Sequence, residues 1–316
     1  MSDAPRIAEE GWAPSLADVS AALRKAIGVF GEHGSDRWLQ LGEIALDLET
    51  GSVAELLARL EEMSGVEIRR VLLGVDLPSW QRMVESDVLE RAAAGSAEAV
   101  DQVLRSVGDW ERESLRLLLE LTPAQTKRHV LKAVRLFAEQ VFAEREAELT
   151  VALEREAAGA RAKIAASPGE RAVLEVTGGY EYLREPEFDR VILFPHFAAP
   201  PWLLLMERRD ARVIGYPAAP FADDAEKELR ERLLRLGRAL GDEKRVEILR
   251  RLAEEEMTLG ELVVSVGLAK STIHHHLVQL RAAGLIRLRG NARGYWYSLS
   301  PEGRDASVRL LGDALG

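Results

Sequence analysis

The sequence predicts a mainly α-helical protein with a small β component: a helical N-terminal domain, a small antiparallel sheet packed on it, and a C-terminal unit of short helices closed by a two-stranded ribbon. Three observations carry this expectation. Helix-start signals recur through residues 1–166. Short apolar runs separated by turn residues replace them between 172 and 215. After Met257 a helical period gives way to strict alternation. The expected domains are therefore 1–166, 167–222 and 223–316.

In the first domain, Ser15 with Asp18, Ser52 with Glu55, Ser64 with Glu67, and Thr122-Pro123 with Gln125 each set a hydroxyl three residues before a polar partner. That spacing lets side chain and backbone satisfy each other at a helix start. Gly28, Gly51, Gly74, Gly95 and Gly108 punctuate the helices. From Thr122 one long helix is expected to run to about Ala166. Leu131, Val134, Val141 and Phe142 give it a buried face, and its second half is heavily charged. Ser167-Pro168-Gly169 ends it. Residues 172–176, 190–194, 202–206 and 212–215 then read as strands, with a hairpin near Asp210-Ala211.

A helix over 223–241 follows, with Leu229, Leu233, Leu236 and Leu240 at i, i+4, i+7 and i+11. Leucines so spaced form a seam that requires a partner. Asp242 caps a helix over 243–255, with Val246, Ile248, Leu249 and Leu252 as core contacts. Thr258 and Glu261 form a capping box for a short helix ended by Gly267. The next helix, 270–283, carries Ile273, Leu277 and Leu280 on one apolar stripe. Lys270, Ser271, His274, His275 and Val278 lie off it. In Leu285-Ile286-Arg287-Leu288-Arg289 the arginines alternate with inward-facing apolar residues. A glycine-bounded tip, Gly290-Asn291-Ala292-Arg293-Gly294, leads into the return strand 295–299. Ser300-Pro301 opens a last helix with Val308, Leu311 and Leu315 on one face. Helix, turn, helix and a basic ribbon in this order form a winged helix-turn-helix.

Charge supports a nucleic-acid role confined to this unit. The chain stands at −10, yet residues 262–301 hold no Asp or Glu and carry Lys270, Arg281, Arg287, Arg289 and Arg293. A surface facing phosphates needs that bias. Residues 223–316 contain sixteen Lys/Arg and fifteen Asp/Glu, so this part is at +1 and the remainder at −11. The acidic remainder is not expected to bind nucleic acid. Candidate DNA-contacting residues are Lys270, Ser271, Thr272, His274, His275 and Gln279 on the second helix, and Arg287, Arg289 and Arg293 on the wing. Base edges fall to Ser271, His274 and His275, and phosphates to the arginines. Leu229, Leu233, Leu236 and Leu240, with Val308 and Leu311, are expected to form a homodimer; the alternative is that the seam packs inside one protomer.

The runs Gly237-Arg-Ala-Leu-Gly-Asp-Glu-Lys-Arg-Val-Glu-Ile-Leu, Met257-Thr-Leu-Gly-Glu-Leu, Lys270-Ser-Thr-Ile-His-His-His-Leu and Ala283-Gly-Leu-Ile, in this order, resemble the arsenic-repressor (ArsR) family of bacterial winged-helix transcription regulators. The resemblance spans about 226–315, under a third of the chain. It implies a homodimer that binds a double-stranded DNA operator with an affinity changed by an effector. Residues 190–217 resemble regulators that carry a large additional domain before such a reader. One departure from the family pattern is Ala269, where a capping Ser or Thr is usual.

The chain has no cysteine, which removes disulfides and thiolate metal sites. His274, His275 and His276 point about 100° apart on a helix and cannot converge on one ion. The helix before the reader offers no ligand either, so no metal and no cofactor is expected. There is no glycine-rich phosphate loop, no G-x-S-x-G and no H-E-x-x-H, so no enzyme is expected. No signal-peptide pattern is present. The longest uncharged run, 191–206, is too short to cross a membrane, where about 20 residues are needed, and three prolines break it. The expectation is a cytoplasmic protein. Trp12, Trp38, Trp80, Trp110 and Trp202 read either as core packing or as lining for an apolar organic effector, with His196 as a polar group beside it. The N-terminal part is thus a sensor for such an effector or a module that docks another protein onto DNA.

Overall fold

The structure is a computed structural model, and it describes residues 18–31, 35–48, 51–198, 202–218 and 225–315. The chain divides into two units. One runs to Leu149 and takes in Met206–Val213; the other comprises Thr150–Leu205 and the chain from Ile214 onward.

The first unit is built from short helices: α1 (Ala21–Ile27), α2 (Ser35–Leu39), α3 (Leu41–Ala45), α4 (Val53–Glu62), α5 (Gly65–Leu73), α6 (Pro78–Met83), α7 (Ser86–Ala94), α8 (Ala97–Ser106), α9 (Asp109–Glu120) and α10 (Pro123–Phe137). The start signals act as expected at Ser52, Ser64 and Thr122, the last two as full capping boxes. Ser15 lies outside the described residues, and α1 is capped by Ser20. Gly74 and Gly95 end α5 and α7 in the left-handed conformation. Leu60, Ile68, Leu72, Leu89, Leu115 and Leu118 form the centre of one apolar core. Trp38 packs on Phe30 with ring centroids 5.0 Å apart, and Trp80 is buried in the same core. Both belong to the packing rather than to a cavity wall.

One cation ties this unit together. Arg69 on α5 is 1% exposed, and its guanidinium donates to the carbonyls of Ala92, Leu119 and Leu121 at 3.2, 3.4 and 2.9 Å. These carbonyls lie at the ends of α7 and α9, where intrahelical donors run out; Ala92 O also accepts from Gly95 N at 3.0 Å. Burial holds the Arg69 pKa below its ordinary value. Arg37 does the same for Leu72 at the end of α5, at 3.0 Å, with its guanidinium over the Trp80 ring.

The long helix expected over 122–166 is interrupted. After α10 comes a π turn, Ala138–Phe142, then α11 (Glu146–Ala166). The chain leaves the first unit at Leu149. No glycine or proline marks the interruption, so local propensity runs through it.

The second unit continues with α12 (Glu170–Thr177) and the strands β1 (Tyr180–Tyr182), β2 (Arg190–His196), β3 (Leu204–Arg208) and β4 (Ala211–Pro217). Residues 172–176, expected as a strand, lie in α12: an apolar run of this length suits either state, and here the helix buries Ala172, Val173 and Val176 on one side. The other three strands and the β3–β4 hairpin form where expected, in the order β2-β4-β3, with the hairpin tip belonging to the helical unit. There follow α13 (Ala225–Leu240), α14 (Glu243–Glu254), β5 (Met257–Thr258), α15 (Leu259–Val266), α16 (Lys270–Ala282), β6 (Ile286–Asn291), β7 (Gly294–Leu299) and α17 (Pro301–Leu315). Asp242 accepts from Arg245 N at 2.9 Å and caps α14. Leu236, Ile248, Leu262, Ile273, Leu277 and Leu280 form the core of this winged helix.

The sheet of the wing is mixed rather than antiparallel. Its order is β1-β6-β7-β5, and β1 pairs parallel with β6: Tyr180 with Leu288, Glu181 with Arg289, Tyr182 with Gly290. Among the described residues no helix is long and apolar enough to cross a membrane.

Arg69→Met is expected to remove the guanidinium donor from the carbonyls of Leu119 and Leu121 and one of two donors from that of Ala92. It should lower the unfolding free energy by about 3 kcal/mol, after allowing for the desolvation a buried cation no longer costs. A denaturant midpoint unchanged from wild type would refute the clamp.

Candidate nucleic-acid interface

The helix-turn-helix is set by its caps. Thr258 Oγ1 accepts from Glu261 N at 3.3 Å, while the Glu261 carboxylate accepts from Thr258 N at 2.7 Å, so both groups are satisfied at the start of α15. Gly267, at φ +73°, turns the chain into α16. That helix starts at Ala269 without a side-chain cap. Ile273, Leu277 and Leu280 face the winged-helix core, as the spacing predicts.

A second stripe on α16 was not read from the sequence. His274, Val278 and Arg281 also stand at i, i+4 and i+7, on the flank next to the core-facing stripe. Val278 is 6% exposed and Arg281 8%. The Trp202 ring meets His274 edge-on, with centroids 4.9 Å apart. His196, whose Nε2 lies 3.2 Å from the Trp202 carbonyl oxygen, sits close enough to Arg281 for that charge to disfavour its protonation. The end of the small sheet thus lies against this flank. With two of its sides buried, α16 loses the strong polar-to-apolar contrast of a surface helix.

The expected contact residues fall into three groups. Lys270, Ser271 and Thr272, the first turn of α16, are exposed; His274, His275 and Gln279 are half-buried. The wing arginines all carry carboxylate partners from this chain. Arg287 pairs with Glu302. Arg289 pairs with Glu256, its Nε donating at 3.0 Å, and lies over the Trp296 ring. Arg293, at the tip, reaches Glu187 at 3.3 Å. The first and last of these pairs are well exposed on at least one side and so are weak and exchangeable for phosphate. Arg293 N donates to Asn291 Oδ1 at 2.9 Å, which shapes the tip.

Gly290 sits at φ +149°, and a Cβ there would lie 2.1 Å from the Gly294 oxygen. Only glycine fits so tight a wing. Its carbonyl accepts from Tyr180 Oη at 3.1 Å and from Leu183 N at 3.0 Å, while Asn291 Nδ2 donates to Leu183 O at 3.0 Å. Leu288 and Tyr295 of the wing join Val173, Tyr180, Tyr182 and Ile214 in a second apolar cluster. Neither the pairing nor the cluster has a local sequence signal, because β1 is three residues long and more than a hundred positions away.

The expected dimer residues also divide. Leu236 is 2% exposed in the protomer's own core, and Leu229 and Leu233 pack against it. Leu240, Val308 and Leu311 are exposed, Val308 to 66%.

Burial holds the imidazoles of His196, His274 and His276 below their ordinary pKa; Lys270 and His275 add to this at His274, whereas Asp242 opposes it at His276. A depressed pKa in the folded state means that the unfolded chain binds protons first. The stability held by these neutral rings is therefore complete above about pH 6.5 and lost as pH falls below it. Thermal melts of the full chain are expected to shift downward between pH 7.5 and 5.5, and His274→Gln should flatten that slope. A slope unchanged by the substitution would dissociate His274 from the effect.

The comparisons with known proteins fall on this part of the chain. The sequence profile described as "Bacterial regulatory protein, arsR family" matches residues 242–287. Nodulation protein NolR of Rhizobium meliloti is 40% identical over 74 residues, which is 23% of this chain and 58% of NolR. Transcriptional activator HlyU of Vibrio cholerae is 35% identical over 74 residues, again 23% of this chain and 68% of HlyU. Among solved structures, NolR from Sinorhizobium fredii aligns with 29% of this chain and 92% of its own at 32% identity, with a TM-score of 0.24. The homodimeric winged helix-turn-helix domain of Mb0332 from Mycobacterium bovis aligns with 30% and 91% at 23% identity, with a TM-score of 0.25. The profile covers α14, the capped α15 and the α16 that follows it, and on the sequence match to these relatives the chain belongs to the ArsR family of bacterial regulatory proteins.

Proposed function

We propose that this chain is a sequence-specific transcription regulator that binds a double-stranded DNA operator as a homodimer, with its affinity set through the region before the reader. The observation that carries the reading is the stretch 262–301, which holds no Asp or Glu of its own. It includes the exposed first turn of α16 and a wing tip bearing Arg293. In the DNA complex Lys270 and the wing arginines would hold phosphates, while Ser271, Thr272, His274, His275 and Gln279 would read base edges. The relatives support it by their descriptions, one of them a transcriptional activator.

The dimer contact is assigned to the apolar residues left exposed on the flanking helices, Leu240 on α13 with Val308 and Leu311 on α17. Exposed apolar side chains grouped on helices of a reader that addresses paired half-sites are suited to a two-fold interface. Leu229, Leu233 and Leu236 support that face from within the protomer.

The effector is assigned as an organic, partly apolar molecule. A cleft of about 450 Å³ in the helical unit, with Ile44, Leu48, Met63 and Val71 among its walls and Glu43 and Asp47 beside them, has the size of a small-molecule site. Burial raises the Glu43 pKa, and neighbouring Asp76 adds to this. Native mass spectrometry of the full chain from its own host should detect such a molecule; a ligand-free chain whose DNA affinity no metabolite fraction alters would remove the effector.

Two outcomes test the DNA reading. Selection from random duplexes is expected to enrich a two-fold sequence with half-sites about one helical turn, ~34 Å, apart. On that sequence Arg293→Ala should lower the salt slope by about one without altering base preference. An unchanged slope removes the wing contact. Val308→Glu, at a position where folding tolerates a charge, should leave a folded monomer in sedimentation. A variant that stays dimeric places the interface elsewhere.

A further inference from the structure

The flank of α16 formed by His274, Val278 and Arg281 takes no part in the winged-helix core, yet Val278 and Arg281 are buried and His274 is half-buried against Trp202, a residue far earlier in the chain whose carbonyl oxygen lies 3.2 Å from His196 Nε2. A recognition helix is about 10–12 Å across with its side chains, and the major groove is about 12 Å wide. Such a groove accepts a bare helix and little else. A tryptophan seated on one flank of α16 stands where the groove wall would be. His274 also cannot meet a base edge while its ring meets Trp202. At the wing, Glu187 occupies Arg293, the cation best placed to take a phosphate.

We propose that this structure is the DNA-refusing state of the regulator. Trp202 on His274 is the gate that shuts the reading helix, and β1 on β6 is the tether that keeps the gate beside it. DNA binding requires Trp202 to leave His274 and Glu187 to release Arg293. This inference rests on the reading of α16 and the wing as a DNA interface.

The two kinds of contact differ in the way such a device needs. The tether is a three-residue strand pairing, backed by Tyr180 and Asn291 and by a shared apolar cluster. The gate is one edge-on ring contact and one ion pair with Arg293 67% exposed. A gate that weak can be moved by any ligand that binds the open and shut forms unequally. The gate residue also precedes β3, whose far end belongs to the helical unit.

The test uses the full chain and a fluorescent pool of random-sequence duplexes about three turns long at about 50 mM salt, where binding without a known operator is measurable. Trp202→Ala is expected to bind the pool at least about tenfold tighter than wild type, as removal of a masking equilibrium requires. Trp202→Phe, which keeps a ring against His274, should bind as wild type does. Glu187→Gln is isosteric and leaves the apolar packing intact, so it keeps the test valid should Trp202→Ala fail to fold. It is expected to tighten binding about two- to threefold by freeing Arg293. If the duplexes bind wild type, Trp202→Ala and Glu187→Gln equally, the gate is overturned while the DNA reading stands. If no form binds any duplex, the DNA reading and the gate both fall.

Discussion

The outer edge of the wing is a strand, and a strand edge next to an apolar cluster must have its backbone groups met. In this chain β1 meets them. Tyr180, Glu181 and Tyr182 pair with Leu288, Arg289 and Gly290, and the Gly290 carbonyl accepts from both Tyr180 Oη and Leu183 N. Much else depends on that pairing. It brings α12 against the wing, lets Leu288 and Tyr295 share a core with Val173 and Ile214, and commits the following strand to run beside the reader. His196 and Trp202 reach α16 because β1 is fixed where it is. The winged helix is consequently no free module on the end of a linker.

The recognition helix shows the cost of that arrangement. A reader needs polar groups on its outward side, and α16 keeps them in Lys270, Ser271 and Thr272. Its flank instead carries a histidine, a valine and an arginine whose charge is largely out of solvent. Burial pulls the Arg281 pKa down to about 10 and pushes that of nearby Tyr297 up to about 12. A cation held there at a desolvation cost, next to imidazoles kept neutral, suits a contact that is made and broken better than a permanent core.

The helical unit solves a different problem. Ten short helices leave many carbonyls at their ends, and few of these can face water once the helices pack. Arg69 and Arg37 answer from inside, where a planar guanidinium can serve two or three acceptors at once. NolR of Rhizobium meliloti and HlyU of Vibrio cholerae each align with 23% of the chain.

Local chemistry was legible in the sequence. The capping boxes at Ser64, Thr122 and Thr258, the cap at Asp242, the glycine stops, the core stripe of α16 and the wing all depend on residues within a few positions of one another, and each forms where its spacing says. The winged helix and the family followed from these. What tertiary structure decided involves residues far apart, or runs whose pattern fits two states. Residues 172–176 could be strand or helix and became helix against β1. The helix from Thr122 is interrupted over Ala138–Phe142 with no breaker residue. Leu236 is buried in the protomer's own core with Leu229 and Leu233 half-buried against it, while Leu240, Val308 and Leu311 stay exposed. Helical spacing marks an apolar face but not the surface that covers it. For the same reason His274, Val278 and Arg281 read as an open flank until Trp202, seventy residues earlier, was seen to close it.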